Sequence, residues 1–354
     1  MSQLNKKSSI IANILHCFRN MVTNIMIFKR RRDALFRKIV TLLMIMLLIY
    51  LMCPGHSEID DYRGFVLHKR YFEDWVISRS IWMNVEARSV LVFVHIPKSG
   101  GTEFGFKLCN NLYDARCNCT DNNWGACECK NHQKNTWMFS PYSVGWPCGV
   151  HASLTAHRNC VDETMKKLDY TRRNRTYFYI TILRDPVLRY ISEWNHQKKC
   201  TDDWYNTTKV PELDIDEFMQ CVNNPANNRQ TRMLSDEDAY KHLPRGPSQD
   251  EIMLRTAKKN LKLFSFFGLT EYMIESQYLF ENSLGLHFAH RFGADNSKAL
   301  ALKRNLTETQ IEDIIGLNKL DIQLYQYAKD IFFQRYKYHL DFISGYIFGR
   351  YHRI

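Results

Sequence analysis

The chain has 354 residues, 45% of them apolar, and a formal net charge of +11. That length and apolar content allow a sizeable core, in one large domain or two ordinary ones, and exclude a disordered protein. Nine basic residues and one acidic residue up to Lys38 contribute +8 of the charge, so little excess remains to form a nucleic-acid-binding surface on the rest.

The basic tail, residues 1–38, runs directly into IVTLLMIMLLIYLMC, an uncharged apolar stretch from Ile39 to Cys53. Fifteen helical residues span only ~22 Å against a ~30 Å hydrocarbon core; snorkelling of Arg37 and Lys38, or a thin early-secretory membrane, closes the gap. Basic residues precede the stretch and Glu58, Asp60 and Asp61 follow it, which predicts a type II signal anchor with a cytosolic N-terminus. No small-residue cleavage pattern follows, which disfavours a removed signal peptide. Residues 54–88 read as a stem, 89–340 as a luminal domain and 341–354 as a C-terminal tail.

Nine of the eleven cysteines (Cys109, Cys117, Cys119, Cys127, Cys129, Cys148, Cys160, Cys200 and Cys221) lie past this stretch, a density expected of an oxidising compartment. The C-x-C spacing and the secretory setting favour disulfides over a four-thiolate zinc site, and the odd number leaves at least one thiol free or paired with another chain. Four N-x-[ST] sequons, at Asn118, Asn174, Asn206 and Asn305, agree with a luminal location as glycosylation sites.

In chain order, a buried strand is predicted over Val90–His95 and a second over Tyr177–Leu183. Asp185 and Pro186 form an N-cap and first-turn pair for a helix to about Gln197. SQDE, Ser248–Glu251, reads as a capping box for a helix ending near the short strand FFGL, and TETQ, Thr307–Gln310, as one opening a single long helix through QRY. Strands alternating with helices predict an α/β domain with a central, mostly parallel sheet.

The first strand ends in HIPKSGG, residues 95–101. A strand, a glycine turn and a helix N-terminus form a natural anion cradle. Lys98 precedes Gly100 and Gly101, whereas a Walker A lysine follows its glycines, so a nucleoside triphosphatase is disfavoured; no G-x-G-x-x-G is present for a dinucleotide. LRDPVLRYISEW puts Arg184 at the end of the second strand, and ligands of parallel sheets bind at such ends. Lys98 and Arg184 on two strand ends suggest a ligand with two separated phosphate-like groups.

VFVHIPKSGGTEFG, TWMFSPYSVGWPCGVHASLT, YITILRDPVLRYISEW, NNRQTRMLSD, FFGLTE and LYQYAKDIFFQRY, in this order, closely resemble the heparan sulfate 6-O-sulfotransferases, from about Val90 to Tyr338. The resemblance implies a P-loop-like sulfotransferase fold on a Golgi type II membrane protein, with 3'-phosphoadenosine 5'-phosphosulfate (PAPS) as sulfuryl donor, heparan sulfate as acceptor and no metal. It leaves room for association with other enzymes of heparan sulfate assembly. It implies that His95, Ile96, Pro97, Lys98, Ser99, Gly100, Gly101, Thr102 and Glu103 hold the 5'-phosphosulfate, Arg184 and Ser192 the 3'-phosphate, and Lys298 and Ala299 a late part of the donor site. His151 is implied as catalytic base, and Trp146, His196, Lys130 and Lys134 as acceptor contacts. A histidine suits a base, because a sugar hydroxyl is a poor nucleophile near neutral pH; Lys98 suits the charge developing on the bridging oxygen. Pro97 and Ser99 replace the glutamine and threonine of vertebrate members, and the loop after Trp194 is shorter. A 2-O- or chondroitin-type sulfotransferase is the alternative within enzymes, against which GWPCGVHA speaks. A non-catalytic heparan sulfate-binding protein would not need Lys98, Arg184 and His151 together.

Overall fold

Three runs rich in β-branched and aromatic residues, SVLVFV, TYFYITIL and FFGL, become adjacent strands of one parallel sheet. The structure is a computed structural model and describes residues 72–120, 127–169, 174–200, 212–236, 247–293 and 297–351. The proposed membrane anchor, Ile39–Cys53, lies outside these residues; among the described residues no helix is long and apolar enough to cross a membrane.

The strands are β1 (Ser89–Val94), β2 (Asn118–Cys119), β3 (Cys127–Glu128), β4 (Met138–Phe139), β5 (Thr176–Leu183) and β6 (Phe266–Leu269). The helices are α1 (Asp74–Ile77), α2 (Gly101–Asn110), α3 (Leu154–Leu168), α4 (Pro186–Gln197), α5 (Ile215–Met219), α6 (Arg229–Leu234), α7 (Pro247–Leu263), α8 (Met273–Leu284), α9 (Ser297–Arg304), α10 (Glu308–Leu317) and α11 (Lys319–Tyr351). The sheet runs β4-β1-β5-β6, all parallel, with Val94 opposite Thr181 and Leu183 opposite Leu269. From β1 the chain crosses to β4 on one side, and from β5 to β6 on the other. The neighbours β1 and β5 therefore send their connections in opposite directions, which opens a crevice beyond their carboxyl ends.

Both faces of the sheet are covered. Val90 and Val92 of β1 pack with Phe139 and with Val161 and Met165 of α3. Phe93 faces the other way, onto Phe104 of α2, whose ring also meets Phe266, Phe280, Phe288 and Phe292. Burying these side chains is worth roughly 1.5–3 kcal/mol each relative to exposure, so the sheet ends carrying the site rest on a rigid base.

Two helix expectations change. Thr307 does form a capping box with Gln310, but the helix stops at Leu317 and a second begins at Lys319. Asn228 accepts hydrogen bonds from the Leu320 and Asp321 N–H groups, and its own N–H donates to the Asn318 side chain. This reciprocal tertiary cap outweighs the helical periodicity. The helix expected to open at Ser248 already includes Pro247. Residues before β1 also pack on this domain: Ile81 and Met83 N–H groups donate to Ser283 and Leu284, and Arg335 donates to Val76.

Nine cysteines give four disulfides, Cys117–Cys129, Cys119–Cys127, Cys148–Cys160 and Cys200–Cys221, plus the buried thiol Cys109. The C-x-C pairs are thus joined across the β2–β3 hairpin, as disulfides and not as a zinc site. Burial pushes the Cys109 thiol up to about 12.

Candidate active site

The loop between β1 and α2 is strained where a charge is needed. Lys98 has φ 63° and Gly100 φ 72°; glycine takes that region freely, whereas for lysine it is uncommon and costs about 1–3 kcal/mol. No side chain caps α2, so its first-turn N–H groups face outward with the positive end of the helix dipole. Ser99 is fully buried, and its hydroxyl has no hydrogen-bond partner among the described residues. A buried, unspent donor beside open amides is what a bound anion would satisfy.

Neighbouring strand ends fix the loop. Arg184, just past β5, donates Nη1 to the Lys98 carbonyl at 2.9 Å. Thr270, just past β6, shares its hydroxyl hydrogen between the Ser99 and Leu183 carbonyls at 2.8 and 3.0 Å. The Gln230 side chain pairs with both the N–H and the carbonyl of Arg184, each at 2.9 Å. Asp185 caps α4 by accepting from Leu188 N–H, while its own N–H donates to Glu271. Glu271 also accepts from the Tyr325 hydroxyl at 2.6 Å; burial pushes this carboxyl up.

The crevice carries the cations Lys98 and Arg184, with the carboxylates of Glu271 and Glu193 behind them. Burial, and then repulsion from Arg184, lowers the Lys98 ammonium from its ordinary range, while Glu193 opposes both. Glu193 is itself fully buried between Arg189 and Arg229. Burial alone would raise its pKa, but the two guanidiniums outweigh that and hold the carboxyl below the ordinary range. His196, in the last turn of α4, is lowered by desolvation and then by Lys98, with Glu193 opposing.

His151 lies half-buried in the turn before α3, with its ring centroid 5.0 Å from that of His95. Ser153 caps α3, and the Cys148–Cys160 disulfide ties the turn to that helix. Trp146, on the same turn, is 42% exposed. A structured anion cradle, a lysine and a histidine thus share one crevice, an arrangement able to bind a phosphate-like group and take up a proton beside it.

The sulfotransferase family model matches residues 82–328. Heparan-sulfate 6-O-sulfotransferase 1 of Homo sapiens is 39% identical over 299 residues, covering 76% of this chain and 72% of its own. Heparan-sulfate 6-O-sulfotransferase 3-B of Danio rerio is 38% identical over 300 residues, covering 75% and 69%. Heparan-sulfate 6-O-sulfotransferase 2 of Gallus gallus is 38% identical over 291 residues, covering 74% and 71%.

The chain belongs to the heparan sulfate 6-O-sulfotransferase family. Of the residues expected from that resemblance, His95 through Glu103, Arg184 and His151 converge on the crevice at the ends of β1 and β5. Ile96 and Pro97 are buried loop residues. Thr102 is exposed in the first turn of α2, and Glu103 there pairs with Lys107. Ser192 lies on α4 between Arg189 and His196. Lys298 and Ala299 belong to α9. Lys130 pairs instead with Glu128 and lines a cavity with Glu86, Asp114, Arg116 and Trp137, and Lys134 follows in a turn with φ 66°. Asn118, Asn174 and Asn305 are exposed, and Asn206 lies outside the described residues. No role for Thr270, Gln230, Glu193 or Glu271 was visible in the sulfotransferase motifs beforehand; only the position of Thr270 and Glu271, straight after FFGL, marked a strand end.

Proposed function

We propose that this chain transfers a sulfuryl group from PAPS to the 6-hydroxyl of glucosamine in heparan sulfate, with His151 as general base. The observation that carries the reading is the convergence of the uncapped α2 terminus, Lys98 and Arg184 with His151 at one crevice. The residues fit the donor: the buried Ser99 hydroxyl and the amides of residues 99–102 suit its 5'-phosphosulfate, and Arg184 and Ser192 its 3'-phosphate.

When bound, PAPS supplies a sulfuryl group on a phosphate leaving group, so that its S–O bond breaks as the sugar oxygen bonds to sulfur. His151 takes the hydroxyl proton during that attack. Lys98 neutralises charge developing on the departing oxygen, an interaction that strengthens toward the transition state. Arg184 and Thr270 hold the Lys98 and Ser99 carbonyls, so the loop need not reorganise. Trp146 offers a ring face to a sugar, and His196 a polar contact beside Lys98. The disulfides, the sequons and the basic and apolar N-terminal segments support a Golgi location as a single-pass type II membrane protein with this domain luminal.

The test is transfer of labelled sulfate from PAPS to desulfated heparan sulfate by the full-length chain, followed by disaccharide analysis, with His151→Ala as control. Label at glucosamine C6 that disappears in the variant is expected. Binding of donor and polysaccharide without transfer would instead favour a non-catalytic heparan sulfate-binding protein, and label at another hydroxyl would overturn the acceptor assignment.

A further inference from the structure

Two glycines follow Lys98, and they serve different ends. Gly100 takes a left-handed conformation, φ 72°, whereas Gly101 has no such requirement. A Cβ on Gly101 would lie 2.2 Å from Cδ2 and 2.7 Å from Nε2 of His95. Contacts under 3.0 Å cannot stand, so the first helical position is bare because an imidazole occupies the space beside it.

That imidazole is an unusual tenant for a core. His95 is 3% exposed, and its ring packs near Phe93 on one side and Tyr142 on another, at 5.6 and 6.3 Å. His151 is a closer ring neighbour than either, at 5.0 Å and a tilt of 47°. An apolar ring would fill the same volume without the cost of burying two ring nitrogens.

We propose that His95 is a positioning residue for His151: its buried ring, backed by the main chain of Gly101, orients the His151 imidazole toward the acceptor. This rests on the reading of His151 as base. The titratable groups facing His95 are His151, Lys98 and Tyr142. Burial is the largest influence holding His95 well below the ordinary histidine range, and repulsion from His151 and Lys98 adds to it. Burial also pushes the Tyr142 hydroxyl up, out of the physiological range. His95 therefore stays neutral when His151 becomes charged. A proton taken from the acceptor hydroxyl stays on His151 and does not pass to His95.

His95→Phe keeps a ring but removes both nitrogens, and His95→Asn keeps polarity without the ring. Three quantities are measured on the full-length chain: affinity for 3'-phosphoadenosine 5'-phosphate, kcat and KM of sulfate transfer across pH, and titration of the His151 ring followed by NMR with labelled histidine. For His95→Phe, kcat is expected to fall at least about tenfold, short of the ~10²–10⁴ attributable to the general base itself, and by clearly more than nucleotide affinity falls. The His151 titration midpoint and the matching limb of the kcat profile should move together. His95→Asn should move the same midpoint, which covers the case in which phenylalanine impairs folding. A parallel loss of nucleotide affinity and kcat, with an unmoved His151 titration in both variants, would reduce His95 to a loop-shaping residue and overturn the proposal. If His151→Ala retains transfer, the base reading fails by itself, while the NMR titration still reports whether His95 governs the ring.

Discussion

The donor side of the crevice and the turn that faces it are held by different means. Around Lys98, the loop is fixed by buried hydrogen bonds from Arg184 and Thr270, residues 86 and 171 positions away from the carbonyls they hold. The β2–β3 hairpin and the turn bearing Trp146 and His151 are secured by disulfides closing 8 to 12 residues. Long-range polar contacts place atoms only if the whole core has formed, whereas local covalent staples hold short segments that have little core of their own. The donor side should thus fail when its buried charges are unbalanced, and the facing turn when its staple is cut.

The largest effect is expected at Glu193. Glu193→Ala leaves Arg189 and Arg229 buried without their shared carboxylate, a loss of about 3–5 kcal/mol in urea unfolding. A change under about 1 kcal/mol would show that the donor side does not depend on this network. The contribution also has a pH signature. Since the folded-state pKa is depressed, the stabilisation is present above the unfolded value near 4.5 and lost as pH falls through the folded pKa. The stability gap between the parent and Glu193→Gln should therefore narrow on acidification below about pH 4.5.

His151→Ala is expected to cut kcat by about 10³, roughly 4 kcal/mol of barrier, while leaving the thermal midpoint nearly unchanged. Equal losses in activity and stability would mean that His151 is structural. Replacing Cys148 and Cys160 by serine opens a closure of 12 residues and should cost ~3 kcal/mol, with KM for the polysaccharide rising as Trp146 and His151 lose their anchor. Unchanged unfolding would remove the staple from the account of this turn. The smallest change is expected for Lys130→Ala. Its pair with Glu128 is exposed at the surface and screened by solvent, so unfolding should stay the same. A large rise in KM would assign Lys130 to the acceptor path.

The donor side was also the more legible in the sequence. SVLVFV, YITIL and FFGL announce buried strands by composition, and Asp185-Pro186 announces a helix start, so Lys98 and Arg184 could be placed on strand ends from local pattern alone. Glu193, Gln230 and Glu271 could not be assigned, because their roles depend on partners brought together by the sheet topology. The break at Asn318 was hidden for the same reason: the cap comes from Asn228, 90 residues away. Cysteine spacing announced disulfides but not their partners, since pairing across a hairpin needs the register of β2 with β3. His95 was visible as a loop residue, yet its closeness to His151 and the reason for Gly101 emerge only from packing.

The sheet also bears on how this protein avoids pairing with other chains. One margin, β4, has two residues, and the other, β6, has four. At the end of β6, Ser276 accepts a hydrogen bond from the Leu269 N–H and donates one to its carbonyl. Margins this short, with terminal groups already spent, give another chain almost no row of backbone partners to extend. The fold can therefore keep an apolar parallel sheet without offering a template for aggregation.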